Sequence, residues 1–96
     1  MQIKPSTRKD KRFMAIFKDG NSPSGLHPLI IHFGAKNGKT YIDHHDKKKR
    51  DAYLARHRVN EDWTKINAAS LSRFILWGDY TSIDGNIASY KRKFDV

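Results

Sequence analysis

The chain has no cysteine, which excludes a disulfide framework, a thiolate zinc site and a cysteine nucleophile. It has no apolar run near the roughly 18 residues that a bilayer-spanning helix needs. Its first residues lack the apolar core of a secretory leader, so no membrane partner is expected. No serine stands in a Gly-x-Ser-x-Gly elbow. Gly38-Lys39-Thr40 matches the end of a phosphate-binding loop, but the first glycine of that motif would have to stand where Phe33 does. Acids are also scarce: ten Asp and Glu face nineteen Lys and Arg. The result is a formal charge of +9 and a pI near 10.0.

What is present suits one small domain. Ninety-six residues suffice for a single core, and an aromatic share of 11% leans that core toward large rings. Residues 1–10 are polar and basic, with Pro5 and Ser6 against regular structure, and read as a mobile arm before a domain spanning 11–96. Lys11 to Phe17 reads as a strand buried on both faces. Asp19 to Gly25 is dense in turn formers, and Leu26 to Phe33 follows as a second strand, with Pro28 placing it at an edge or marking the first residues of the strand. Asn37-Gly38 then signals a hairpin into a third strand, Thr40 to Ile42. Asp46 caps a helix to about Arg58, and Asn67 caps another from Ala68 to Trp77 that Gly78 ends in a left-handed turn. Thr81 or Ser82 opens a last helix carrying Ile83, Ile87, Tyr90 and Phe94 at helical spacing. The expectation is an α+β fold: a three-stranded antiparallel meander, then three short helices.

Asp43-His44-His45-Asp46 holds the residue types that bind divalent metals. Asp-His-His is similar to the signature of the DHH phosphoesterases, but those enzymes are much larger and spread further ligands over separate strands. A His-Asn-His nuclease needs an asparagine and then a further ligand downstream of His44. Asn60 and Asn67 exist, but no histidine follows His57. The simpler reading places Asp43 and Asp46 at a helix N-terminus, where free amides favour carboxylates. No catalytic residue, metal ligand or cofactor is expected.

The bases cluster without alternating acids. Arg8, Lys9, Lys11 and Arg12 form one group, Lys47, Lys48, Lys49 and Arg50 a second, and Lys91, Arg92 and Lys93 a third, with Arg56 and Arg58 between. The first three groups are the candidate nucleic-acid contacts, acting on phosphates without reading bases. Trp63, Phe74 and Trp77 have the means to stack on unpaired bases, although their helical spacing favours the core. Eleven aromatics are more than one small core needs, and with an edge strand they point to a symmetric homodimer.

The block His32-Phe33-Gly34, Tyr41-Ile42-Asp43-His44, Lys49-Arg50, Tyr53, Arg56-His57, Asn60-Glu61, Trp63 and Ser72-Arg73-Phe74-Ile75-Leu76-Trp77 resembles a family of short basic proteins. These belong to nucleocytoplasmic large DNA viruses, of the phycodnavirus, mimivirus and marseillevirus lineages, with the marseillevirus lineage preferred. The resemblance implies a viral protein located in the virion, and in host cytoplasm or nucleus during infection. It brings no catalytic residues. It also implies that His57 and Trp63 fix a helix to a loop, and that Arg56 and Arg73 bridge Glu61 and Asp62. The leading expectation is a small virion protein that binds DNA non-specifically during packaging or delivery. A structural adaptor contacting other virion proteins is the alternative, and a metal-dependent nuclease on Asp43, His44 and Asp46 is the remote one.

Overall fold

The computed structural model describes residues 1–18 and 29–96. Three strands come first: β1 (Gln2–Pro5), β2 (Lys11–Phe17) and β3 (Leu29–Ala35). They form one antiparallel sheet in the order β1-β2-β3. Helices α1 (Tyr41–His44), α2 (Lys47–His57), α3 (Ala68–Leu71) and α4 (Ile83–Phe94) follow. The α+β expectation holds, with a three-stranded antiparallel sheet ahead of short helices.

One observed strand was not expected, and one expected strand is helical. Gln2–Pro5, read as part of an arm, instead pairs with β2, Ile3 opposite Ala15 and Pro5 opposite Phe13. The segment alternates, so only Ile3 turns inward, and one apolar residue among polar neighbours leaves no strand pattern to read. Thr40 to Ile42, read as the third strand, belongs to α1 and its cap. Thr40 and Asp43 form a reciprocal capping box, an arrangement open to a Thr-x-x-Asp spacing. Asn37-Gly38 is accordingly no hairpin turn: neither residue has positive φ, and Gly38 N–H donates to Ala35 O in a turn leading into that cap. The expected loop Asp19 to Gly25 and the expected strand start Leu26 to Pro28 lie outside the described residues. β3 does lie at an edge of the sheet.

The core sits between the inner sheet face and the helices. Register puts Phe13 opposite Phe33 and Ala15 opposite Ile31, so these share a face with Phe17, and the buried cluster adds Tyr41, Tyr53, Leu71, Ile75, Leu76, Trp77 and Tyr90. Gly34 has φ +81°, and a Cβ there would stand 2.8 Å from Leu76, so the sheet approaches the helices closely at this point.

Helices α2 and α4 start at the expected caps. Asp46 accepts from the Lys48 and Lys49 amides, and Ser82 from Gly85. The Asn67-capped helix changes character after one turn: beyond α3, Ser72–Leu76 is wound as a π-helix closed by Trp77 N–H donating to Ser72 O. Gly78 ends it for a different reason from the one expected. Its φ is not positive. It is small because a Cβ would collide with Phe74 O and stand 2.6 Å from Asn86 Oδ1.

Asn86 ties this region together. Wholly buried, it donates through Nδ2 to Ile75 O (2.9 Å) and Tyr80 O (2.8 Å), and its Oδ1 accepts from Tyr80 N–H (3.0 Å). Replacing Asn86 with Ala leaves these buried backbone groups unsatisfied. It should cost about 3 kcal/mol of stability, seen as a lower urea midpoint with unchanged slope.

Candidate nucleic-acid interface

The basic groups divide into arginines used within the fold and cations that are not. Arg12 grips Asp43 with both terminal nitrogens, at 2.7 and 2.8 Å. Arg8 is paired with Asp10 at 3.0 Å. Arg50 spends Nε on Trp77 O (3.1 Å) and Gly78 O (3.0 Å), binds Asp79 at 2.7 Å, and lies over the Tyr41 ring. Arg12 and Arg50 are thus engaged within the fold, whereas Arg8 and Asp10 form an exposed pair at the surface. Lys9, Lys47, Lys48, Lys49, Lys91, Arg92 and Lys93 are exposed and have no carboxylate partner among the described residues. Lys11 is half-buried on β2, and Lys93 also stands 4.8 Å from the centre of the Phe74 ring.

The structure brings a turn lysine up to the charged face of α2. A pocket of about 280 Å³ is lined by Lys39, His44, Lys49, Ala52, Arg56 and Trp77. Lys49, Ala52 and Arg56 are spaced three and four apart, which puts them on one face of α2. Lys39 arrives from the turn after β3, and no carboxylate lines the pocket. Lys39 was read as a turn residue, and Arg56 both as part of a charged outer helix face with Lys48 and Lys49 and as a bridge to an acid. Only helical spacing hinted that Arg56 follows Lys49 at two turns. Beside this pocket, sharing Lys39 and Trp77, an open cleft of about 470 Å³ runs over Phe33, Tyr53 and Leu76 to His57 and Glu61.

A column of rings supports both cavities. His57 stacks on Tyr53 at 4.0 Å between centroids, Tyr53 lies parallel to Trp77 at 4.3 Å, and His44 meets Trp77 at 5.4 Å. Burial, reinforced by Glu61, pushes the Tyr53 hydroxyl up to about 12. One face of Trp77 thus stacks on Tyr53, and the His44 ring packs against it at a tilt. Trp63 carries the Arg73 guanidinium, and Phe74 lies among Arg73, Lys93, Tyr90 and Phe94. These three rings are engaged within the fold. Glu61 links His57 and Trp63, accepting from His57 Nδ1 at 2.8 Å and Trp63 Nε1 at 2.9 Å, so that pair does hold helix to loop. Neither Arg56 nor Arg73 bridges an acid there. Asp62 turns to Thr64 and Lys65, while Arg73 donates to Trp77 O. Burial, then Arg50, lowers the Arg73 pKa.

The Asp-His-His-Asp segment is spent locally. Asp43 closes the capping box and holds Arg12, Asp46 caps α2, and His45 in a left-handed conformation contacts Ile42 O through Nε2. The Asp46 amide donates to His44 Nδ1 at 2.9 Å, which puts the imidazole proton of a neutral ring on Nε2. That Nε2 is buried and has no hydrogen-bond partner. Among the described residues no three His, Asp or Glu groups converge on a metal-sized site, and no helix is long and apolar enough to cross a membrane.

A family profile matches residues 1–57, from β1 to the end of α2, and that family is described as one of unknown function, DUF5754. No curated protein and no solved structure matches the chain.

The Arg12 hydrogen bonds hold the Asp43 carboxyl well below the usual carboxylate range, against a smaller opposing effect of burial and with help from Thr40. A depressed folded pKa contributes stability that is complete above the unfolded value of about 4 and is lost as pH falls through the folded value. Asp43→Asn should therefore lower stability at neutral pH and flatten its decline below about pH 4. Thermal melts from about pH 6 to about pH 2 check this.

Proposed function

We propose that this chain, which belongs to the family of unknown function DUF5754, is a small virion-associated DNA-binding protein of a large DNA virus. In this reading it neutralises phosphates without reading sequence, during packaging or delivery. The observation that carries the reading is the division of the cations. The fold draws on Arg8, Arg12 and Arg50 for ion pairs and leaves the lysines of two helix ends turned to solvent with no ion pair among the described residues. A merely solvated face interleaves both signs, whereas unpartnered lysines in runs suit a polyanion that releases its counterions. Lys47, Lys48 and Lys49 at the start of α2 and Lys91, Arg92 and Lys93 at the end of α4 are the contacts, with Lys9 and Lys11 beside β2. Engaged rings at Trp63, Phe74 and Trp77 fit a protein that holds the backbone instead of splaying out bases. The viral origin and the marseillevirus lineage rest on the sequence resemblance.

Titrating two unrelated duplexes at two salt concentrations tests this. Binding should weaken steeply with salt and be alike for both duplexes. The triple variant Lys47→Ala, Lys48→Ala, Lys49→Ala should lower the slope of log affinity against log salt by about 2 to 3. Affinity indifferent to salt, or confined to one duplex, defeats the proposal.

A symmetric pair of chains is part of the same proposal, since two copies bind a long polyanion with greater avidity. Its support has shifted. The expected surplus of rings is absent, because Tyr80 alone of the eleven aromatics is exposed. What favours pairing is the edge position of β3 together with Ile30, 44% exposed on its outer face. Light scattering on nucleic-acid-free protein should give twice the chain mass, and Ile30→Lys should give the monomer mass.

A further inference from the structure

We infer that the pocket between Lys39 and the Lys49–Arg56 face of α2 is a site for a single phosphoryl group, a phosphate ion or a phosphate ester. The inference deepens the DNA-binding reading: it names one anchored phosphate contact among the diffuse ones.

Three observations converge. The first is charge in a concave place. Lys39, Lys49 and Arg56 come from two separate segments and line one pocket that holds no carboxylate. Like charges repel, so gathering three at a pocket opposes folding unless an anion is held between them. The fold matches Arg8, Arg12 and Arg50 with Asp10, Asp43 and Asp79, whereas these three cations share a concavity with no acid in its lining. The second is the donor inventory. Lysine supplies three rotatable N–H groups and arginine a planar fork, a set that suits the several acceptor oxygens of a phosphoryl group better than a single carboxylate. The volume of about 280 Å³ is several times a water's share of roughly 30 Å³, enough for the ion and a partial shell.

The third is His44. Its Nδ1 is occupied by the Asp46 amide, so the ring's proton is on Nε2, which has no acceptor in the protein although it is buried. His44 belongs to the wall of this pocket, packed against Trp77. Buried donors are satisfied in most folds, and this one has almost no accessible surface, so a small turn of the His44 ring is what brings it to an anion in the pocket. The pocket is also firmly built. Trp77 is held by Tyr53 on one face, by Arg50 and Arg73 at its carbonyl, and by the π-helical turn before it, a feature often found at functional sites. A rigid floor under mobile cations lets the phosphate be bound without reordering the fold.

Inorganic phosphate is the first probe, titrated against chloride at matched ionic strength, with the imidazole and backbone amide resonances of His44, Lys39 and Arg56 followed by NMR. The expected result is a saturable shift confined to this pocket, weakened about tenfold by Lys39→Ala or Arg56→Ala and unchanged by Lys4→Ala, an exposed lysine of β1 outside it. All three residues are exposed, and circular dichroism verifies that each variant folds. Shifts that never saturate, that spread evenly over all basic residues, or that Lys4→Ala reduces as much as Arg56→Ala overturn the inference. The two sources of the phosphoryl group separate in a second arm. If the double variant Lys39→Ala, Arg56→Ala also loses duplex affinity, the site takes a backbone phosphate; if duplex affinity is kept, it takes a free phosphate or a small ester. The DNA-binding reading stands or falls separately, on the salt dependence of the unaltered chain.

Discussion

The parallel stack of Tyr53 on Trp77 is the contact on which the rest of this structure depends. Helix α2 is polar almost throughout and buries one residue, Tyr53. Its rings lie 4.3 Å apart and 5° from parallel. Arg50, one turn earlier on the same helix, reaches the carbonyls of Trp77 and Gly78. A helix that presents so little apolar surface gains little from area burial, so a ring pair and a forked arginine have to hold it. They join the segment matched by the family profile, residues 1–57, to the helices beyond it.

That dependence explains the odd winding of the segment beneath. A regular α-helix from Ala68 would carry its ridges past α2 and α4 with the usual period. The π-helical turn at Ser72–Leu76 shifts the phase, so that Leu71, Ile75 and Leu76 enter the core, Phe74 meets α4, and Trp77 meets α2. The turn ends in backbone carbonyls that a π-helix leaves unpaired, and they are taken up by side chains from three sources: Arg50, Arg73 and Asn86. Gly78 fits because no Cβ has room against Phe74 O and Asn86.

The charge distribution follows from the same architecture. Arginine, with its planar fork, is chosen where a carbonyl or carboxylate must be gripped at a half-buried position, as at Arg12, Arg50 and Arg73. Lysine, a point charge on a flexible stem, is left at the helix ends. The division separates positive charge that stabilises the fold from positive charge available to a partner. It also explains how a chain of charge +9 stays compact: its excess sits where repulsion is screened by solvent.

The residues alone determined the elements whose causes are local. Asp46, Asn67 and Ser82 cap helices wherever free amides need an acceptor, β2 is apolar on both faces, and the surplus of bases is a matter of composition. Tertiary structure decided what depends on partners distant in sequence. β1 exists because β2 offers it a ladder, and Thr40 to Ile42 is helical because Asp43 answers Thr40 in the capping box while Arg12, from β2, holds that carboxylate. The π-helical turn exists because Tyr53 and Phe94 claim rings on opposite sides of one segment. Which cations remain free was decided there too. Lys49 and Arg50 are neighbours in a basic run, yet the 100° between successive helical side chains turns Arg50 toward the Trp77 carbonyl and leaves Lys49 beside Lys39 and Arg56.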